Sequence, residues 1–184
     1  TTQAFHPKAA AILNITPDHL DRHGSMDNYI ALKKKIFANM QAEDTLVLNA
    51  NDANCAKMGE NSSAQLLWFN AVSEMDSGAF LRDGQIVIRI HGEERMVCSA
   101  QEVRIPGRHN LENAMAASAM AAVADIPAPV IRHSLRTFAG VEHRMEYVRQ
   151  VDQVWYINDS KGTNPDSTQR AVEAMSVPTV LILG

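Results

Sequence analysis

Short apolar runs alternate with helix-length segments along most of this chain, and that alternation constrains its fold more than any other feature. Residues 9–14, 45–49 and 65–69 read as buried strands, and helix-like stretches separate or follow them. Strands alternating with helices indicate an α/β fold with a mostly parallel sheet and flanking helices. Between 79 and 97 the pattern turns antiparallel. Asp83 and Gly84 form a hairpin signal, 85–90 is rich in β-branched residues, and a second turn precedes 95–98. An antiparallel hairpin insertion is therefore expected in the sheet. Ser25 can cap a helix running to about Met40, after a polar loop over 16–24. Further helices are expected over 52–59, over 110–125 with Asn110 as N-cap, and from there to about Phe138 after the break at Pro127. Ala139 and Gly140 mark a candidate hinge between domains 1–140 and 141–184. Beyond the hinge, 146–151 and 154–157 read as a hairpin. A helix follows, then a buried parallel strand over 178–184.

Polar residues cluster where such a fold places its ligands. The stretch 157–168 follows a strand-like run and precedes a helix-like one, so it lies at the carboxyl end of a strand. It offers Asp159 as an acceptor, Lys161 as a cation, and Thr163 and Asn164 as short hydrogen-bonding groups. Pro165 suits the first turn of the next helix. The same stretch also reads as an ordinary connection with capping residues.

Lys33 falls in the middle of an apolar stripe made by Met26, Tyr29, Ile30, Ile36, Phe37 and Met40, while Lys34 and Lys35 turn away from it. Such a lysine either snorkels, with its head in water, or is desolvated. A desolvated lysine favours the neutral amine, which can react with carbon dioxide to give a carbamate. His19 sits beyond the first strand between Asp18 and Asp21. It is either a solvated loop residue or a ligand for a divalent metal. Asn113 lies in the first turn of the alanine-rich helix, and Arg108 and His109 precede it. Arg144 can fork onto phosphate oxygens or pair with Glu142 or Glu146 at the surface.

Composition narrows the function classes. The formal net charge of -4 does not favour a nucleic-acid partner. No apolar run reaches the length of a membrane span, and no leader-like segment is present. Cys55 and Cys98 lack metal-ligand spacing and read as reduced thiols of a cytoplasmic protein.

Four ordered motifs carry a resemblance. They are LNITPDHLDR over 13–22, PGRHNLENA over 106–114, EHRME over 142–146 and NDSKGTNP over 158–165. Together they resemble the Mur ligases, the ATP-dependent amino-acid-adding enzymes of peptidoglycan synthesis, and most closely the D-glutamate-adding branch. The resemblance implies a central ATP-binding domain over 1–140 and the start of a Rossmann-like, amino-acid-binding domain over 141–184. It implies ATP and Mg2+, with UDP-N-acetylmuramoyl-L-alanine and D-glutamate as substrates and a monomeric full-length protein. Lys33 matches the family's carbamylated lysine and His19 its histidine ligand to magnesium. Asn113 matches the asparagine that reads adenine. Arg144 would contact the ATP phosphates, with His143 flanking the nucleotide. Asp159 would hold the ribose. Lys161 and Thr163 would face D-glutamate, supported by Asn164.

The sequence contains no Gly-x-x-x-x-Gly-Lys-Ser/Thr loop. In the family that loop lies upstream of the point matching Thr1, so the chain is expected to be an internal piece of a larger enzyme, inactive alone. A folylpolyglutamate-type or different Mur ligase, and a non-catalytic module that has lost the phosphate loop, are the alternatives.

Overall fold

The computed structural model describes residues 4–183. Strand β2 (Thr45–Asn49) is buried along its whole length, as a strand must be when helices cover both faces of a parallel sheet. It pairs in parallel with β1 (Ala9–Ile12) on one side and β3 (Gln65–Asn70) on the other. Strand β4 (Gly78–Arg82) extends the parallel order, and β5 (Gln85–Ile90) and β6 (Glu93–Ser99) then add antiparallel. The six strands lie in sequence order, and the expected hairpin insertion forms one end of the same sheet.

Successive side chains of a strand point to opposite faces, and each central strand feeds two cores. Leu46, Leu48, Ala10, Ile12, Leu66 and Trp68 pack on one face. Val47, Leu67, Phe69 and Ala11 pack on the other. The first face is covered by α2 (Met26–Lys34) and α3 (Ala53–Gly59). The second is covered by α4 (Arg108–Val123) and α5 (Ala128–Thr137). The alanines of α4 let it approach closely: Ala116 and Ala119 are buried against the sheet beside Met115. Full burial of Leu46, Val47, Leu48 or Phe69 stabilises the fold by about 1.5–3 kcal/mol per side chain.

Three local expectations are corrected. The loop over 16–24 contains a single-turn helix, α1 (Leu20–His23). Helix α4 begins at Arg108 with Gly107 as its N-cap. Asn110 is therefore inside the first turn, where its side chain donates to the Pro106 carbonyl at 2.6 Å. The strand expected at the end of the chain does not form over 178–183, and Gly184 lies outside the described residues. Val180 and Ile182 are each 90% exposed. An apolar run becomes a strand only where a neighbour supplies a hydrogen-bonding edge, and no described strand does so here. The hairpin of β7 (Glu146–Val151) and β8 (Val154–Asn158) forms as expected, but as a separate two-stranded sheet. Helix α6 (Pro165–Glu173) follows it.

Asp44 ties the edge of the molecule together. Its carboxylate is fully buried at the start of β2. It accepts from the Gln41 backbone N–H at 2.7 Å and from Lys8 Nζ at 3.2 Å, and it contacts His6. The Gln41 amide, then His6, hold its pKa down at about 2, below the ordinary 3.8. A lowered carboxylate pKa adds stability above the unfolded value, and that stability is lost as pH falls from 3.8 towards about 2. Asp44→Asn is expected to lower Tm at pH 7 by about 5 °C and to flatten the loss of stability in that acid window. Identical acid profiles for both proteins in thermal unfolding would refute the role.

Cys55 and Cys98 are buried, free thiols. Burial pushes the Cys55 thiol up to about 12, which makes it unreactive at neutral pH.

A cleft at the carboxyl ends of the parallel strands

The segment after β1 is held open by side chains from the next βα unit. Asn49 Nδ2 donates to the Leu13 carbonyl at 2.9 Å. The Ile15 N–H donates to Asp52 Oδ2 at 2.9 Å, and Asn54 Nδ2 donates to the Ile15 carbonyl at 3.1 Å. Asp52 also caps α3 through the Cys55 N–H. The polar residues Asn14, Thr16 and Asp18 are thereby presented at the carboxyl end of β1, where open α/β sheets bind ligands.

They form one wall of a cleft of about 1170 Å³. Tyr29, Lys33 and Ile36 of α2 and its continuation supply a second wall, and His109, Glu112 and Asn113 at the start of α4 a third. Arg144 and residues Asn164, Asp166 and Arg170 close it from the far side. Four of the sequence-derived candidates therefore meet here: Lys33, Asn113, Arg144 and Asn164. His19, His143, Asp159, Lys161 and Thr163 do not line this cleft.

Of the two arrangements open to Lys33, the structure shows the one with its amine outside the core. Its side chain is exposed, and Nζ lies 5.2 Å from the centre of the Tyr29 ring. Met26, Tyr29, Ile30 and Phe37 do pack on the core, but none is fully buried, and Ile36 is 38% exposed. The helix rests on the sheet by one edge, so the middle of its stripe opens into the cleft instead of the core. His19 is exposed, in a left-handed conformation (φ 50°), with its ring 3.5 Å from Asp18. Among the described residues, no three His, Cys, Asp or Glu side chains are arranged to hold a metal ion.

Arg144 is aimed by its neighbours. His143 and Met145 on either side both take positive φ, 65° and 48°, conformations that non-glycine residues hold only under external constraint. The constraint is visible. The His143 N–H donates to Glu146 Oε2 at 2.8 Å, and the Met145 N–H donates to Asp159 Oδ1 at 3.0 Å. The Lys161 N–H donates to the His143 carbonyl at 3.0 Å. A Cβ on Gly162 would stand 2.6 Å from Asp159 Oδ2, so a larger residue there would push the carboxylate from its place. Asp159 thus fixes the turn that carries Arg144. Glu146 is engaged with His143 and Asn158, and Arg144 forms no ion pair among the described residues. The surface salt bridge considered for it is absent there.

Asn164 caps α6. Its side chain accepts from the Ser167 N–H at 2.8 Å in a reciprocal capping box. Asn113 Nδ2 reaches Asn110 Oδ1 at 3.5 Å. His109, half-buried, has its pKa lowered, first by burial and then by Arg170 and Arg144. These causes favour its neutral imidazole. Glu112, Asp166 and Arg170 were not recognisable from sequence as cleft residues. Asp166 and Arg170 form an ordinary helical i,i+4 pair, and only the placement of α6 across the cleft from α4 brings them there.

Comparison with known proteins identifies the family. The family model described as the Mur ligase middle domain matches residues 1–121. The UDP-N-acetylmuramoylalanine–D-glutamate ligase of Thermoanaerobacter sp. (strain X514) is 43% identical over 184 residues. The enzyme of the same name from Pelotomaculum thermopropionicum is 45% identical over 184 residues, and that of Clostridioides difficile is 45% identical over 180. These alignments cover 98–100% of this chain and 40% of each relative, so the chain spans well under half the length of the relatives it matches. Among solved structures, MurF from Acinetobacter baumannii superposes with a TM-score of 0.73 at 23% identity, covering 91% of this chain and 37% of that one. MurF ligase from Thermotoga maritima, solved in complex with ADP, gives 0.67 at 15% identity over 94% and 40%. The match to the family model over most of the chain, with these identities beside it, shows that this chain belongs to the Mur ligase family and carries its middle domain.

Proposed function

We propose that this chain is the nucleotide-binding core of a cytoplasmic ligase that uses ATP to join D-glutamate to UDP-N-acetylmuramoyl-L-alanine in peptidoglycan synthesis. The observation that carries the reading is the convergence of Lys33, Asn113, Arg144 and Asn164, from four separate segments, on one cleft at the carboxyl ends of the parallel strands. Identities of 43–45% to D-glutamate-adding relatives support the choice of amino acid. Residues 1–140 act as the ATP-binding domain and 141–184 begin the amino-acid-binding domain.

In this reading Asn113 reads the adenine edge and Arg144 neutralises phosphate oxygens. His143 flanks the nucleotide and Asp159 holds the ribose besides bracing the Arg144 turn. Lys161 and Thr163 meet the D-glutamate carboxylates, and Asn164 keeps α6 in place. The substrate carboxylate is phosphorylated to an acyl phosphate. The amine of D-glutamate attacks its carbonyl carbon, and phosphate leaves as the amide forms. The protein contributes positioning and charge neutralisation. Magnesium would add further neutralisation of phosphate charge. His19 is a proposed ligand. Lys33 becomes one only as a carbamate, since an ammonium offers no lone pair. The described residues do not assemble a donor set for the ion, and no step above runs through it. A carbamate at Lys33 is read directly by 13C NMR after exposure to 13C-bicarbonate, and an unmodified lysine at saturating bicarbonate removes it from the site.

These 184 residues contain no phosphate-cradling loop, so nucleotide binding without turnover is expected of them alone. The deciding experiment offers the complete ligase ATP, UDP-N-acetylmuramoyl-L-alanine and a panel of amino acids. ADP release dependent on D-glutamate supports the proposal. Preference for another amino acid would move the chain to a different branch of the family.

A further inference from the structure

Arg170 stands out among the cleft residues outside the matched motifs. It projects from α6 into the main cleft and also into an adjoining polar cavity of about 370 Å³. The two spaces share Asn14, His109, Glu112, Asp166 and Arg170. Arg170 is anchored through one nitrogen only: Nε donates to Asp166 Oδ2 at 2.9 Å. No partner among the described residues engages its two terminal nitrogens. The side chain is about one-third exposed, so those nitrogens are within reach of a ligand. Arg170 and Arg144 both act electrostatically on His109, which lies at the start of α4. Two guanidinium groups from different segments therefore line the same cleft as this imidazole.

A guanidinium held at Nε keeps its planar fork oriented while the terminal N–H groups remain available. That suits bidentate contact with an oxyanion, and a lysine could not reproduce it. Asp166 engages only Nε, so the terminal N–H groups are left to an oxyanion. We propose that Arg170 is a second oxyanion-binding residue of this cleft, acting with Arg144 on the phosphate groups of the bound nucleotide. The inference rests on the nucleotide-binding reading above and adds to it a residue from outside the motifs.

The test compares ADP with adenosine, which share base and ribose and differ in the phosphates, by calorimetric titration of the 184-residue chain. In Arg170→Gln, ADP affinity is expected to fall about tenfold with adenosine affinity unchanged. Arg170→Lys should lie between Gln and the parent, since charge returns without the fork. D-glutamate is titrated in parallel, because a carboxylate presents the same chemistry. A loss confined to D-glutamate would show that Arg170 reads an amino-acid carboxylate and would overturn the phosphate assignment. Equal losses for ADP and adenosine would reduce Arg170 to shaping the cleft, and no loss at all would also overturn the proposal. If the parent chain binds neither ADP nor adenosine, the nucleotide reading fails first and this proposal with it. Matching circular dichroism and thermal midpoints of parent and variants exclude misfolding as the cause.

Discussion

Replacing Gly78 with alanine is expected to abolish the stable fold. Gly78 opens β4 directly opposite Trp68 of β3, with φ at +130°, a backbone conformation that side-chain-bearing residues rarely adopt. An added Cβ would lie 1.7 Å from the Trp68 carbonyl oxygen and 2.6 Å from its carbonyl carbon and amide nitrogen. These are main-chain atoms of a paired strand, so no rotamer change relieves the overlap. Relief requires breaking the β3–β4 pairing, on which the β5–β6 extension depends. The expected cost exceeds about 4 kcal/mol, which is a large share of the roughly 5–15 kcal/mol that holds a typical domain folded. Gly84 provides the control. Its φ is +72°, but a Cβ added there would meet nothing within 4 Å. Gly84→Ala therefore carries only the conformational penalty, about 1 kcal/mol. Urea unfolding of the two variants separates the cases: a Gly78→Ala midpoint as high as that of Gly84→Ala would show that the strands shift at little cost.

That contrast marks what was legible before the structure. The strands were readable because their apolar runs and turn signals are local: residues 45–49 and the Asp83–Gly84 turn appear where periodicity and turn chemistry place them. The steric demand at Gly78 is not local, since it depends on which backbone lies alongside. The same distinction governs the site. Asn113 and Arg144 were identified through motifs and Lys33 through the apolar stripe around it, and the fold brings all three to one cleft. Whether Lys33 faces core or solvent depends on how α2 sits on the sheet, which helical periodicity does not specify. Residues 178–183 have the composition of a buried strand, but a strand is a property of a pair, and no described neighbour completes it. Glu112, Asp166 and Arg170 were missed because their spacing along a helix is ordinary, and their significance arises from the placement of α4 and α6 on one cleft.

Arg144→Ala in the complete ligase is expected to lower kcat/KM by about 10²–10³, the range found when a preorganised donor to developing negative charge is removed. The geometry favours a catalytic effect over a structural one. The side chain is exposed and makes no ion pair among the described residues, so its loss should change folding stability by less than about 0.5 kcal/mol. The turn that carries it is nonetheless strained and braced at both flanks, by Glu146 at His143 and by Asp159 at Met145. Strain of about 1–3 kcal/mol per residue in unusual φ is tolerated only where surrounding bonds enforce it. Here the enforced element holds an unpaired cation at the mouth of a cleft. Arg144→Lys should recover part of the rate, because charge is restored without the bidentate fork. Asp159→Asn tests the brace. An asparagine amide can still accept from the Met145 N–H but no longer carries the charge, so its effect should fall below that of Arg144→Ala if Asp159 acts mainly by fixing the turn. An effect of Asp159→Asn equal to or larger than that of Arg144→Ala would show instead that the proposed contact of this carboxylate with the ribose outweighs the brace. A loss below about threefold for Arg144→Ala, with unfolding unchanged, would remove Arg144 from the phosphate-binding role and leave the braced turn without a catalytic purpose.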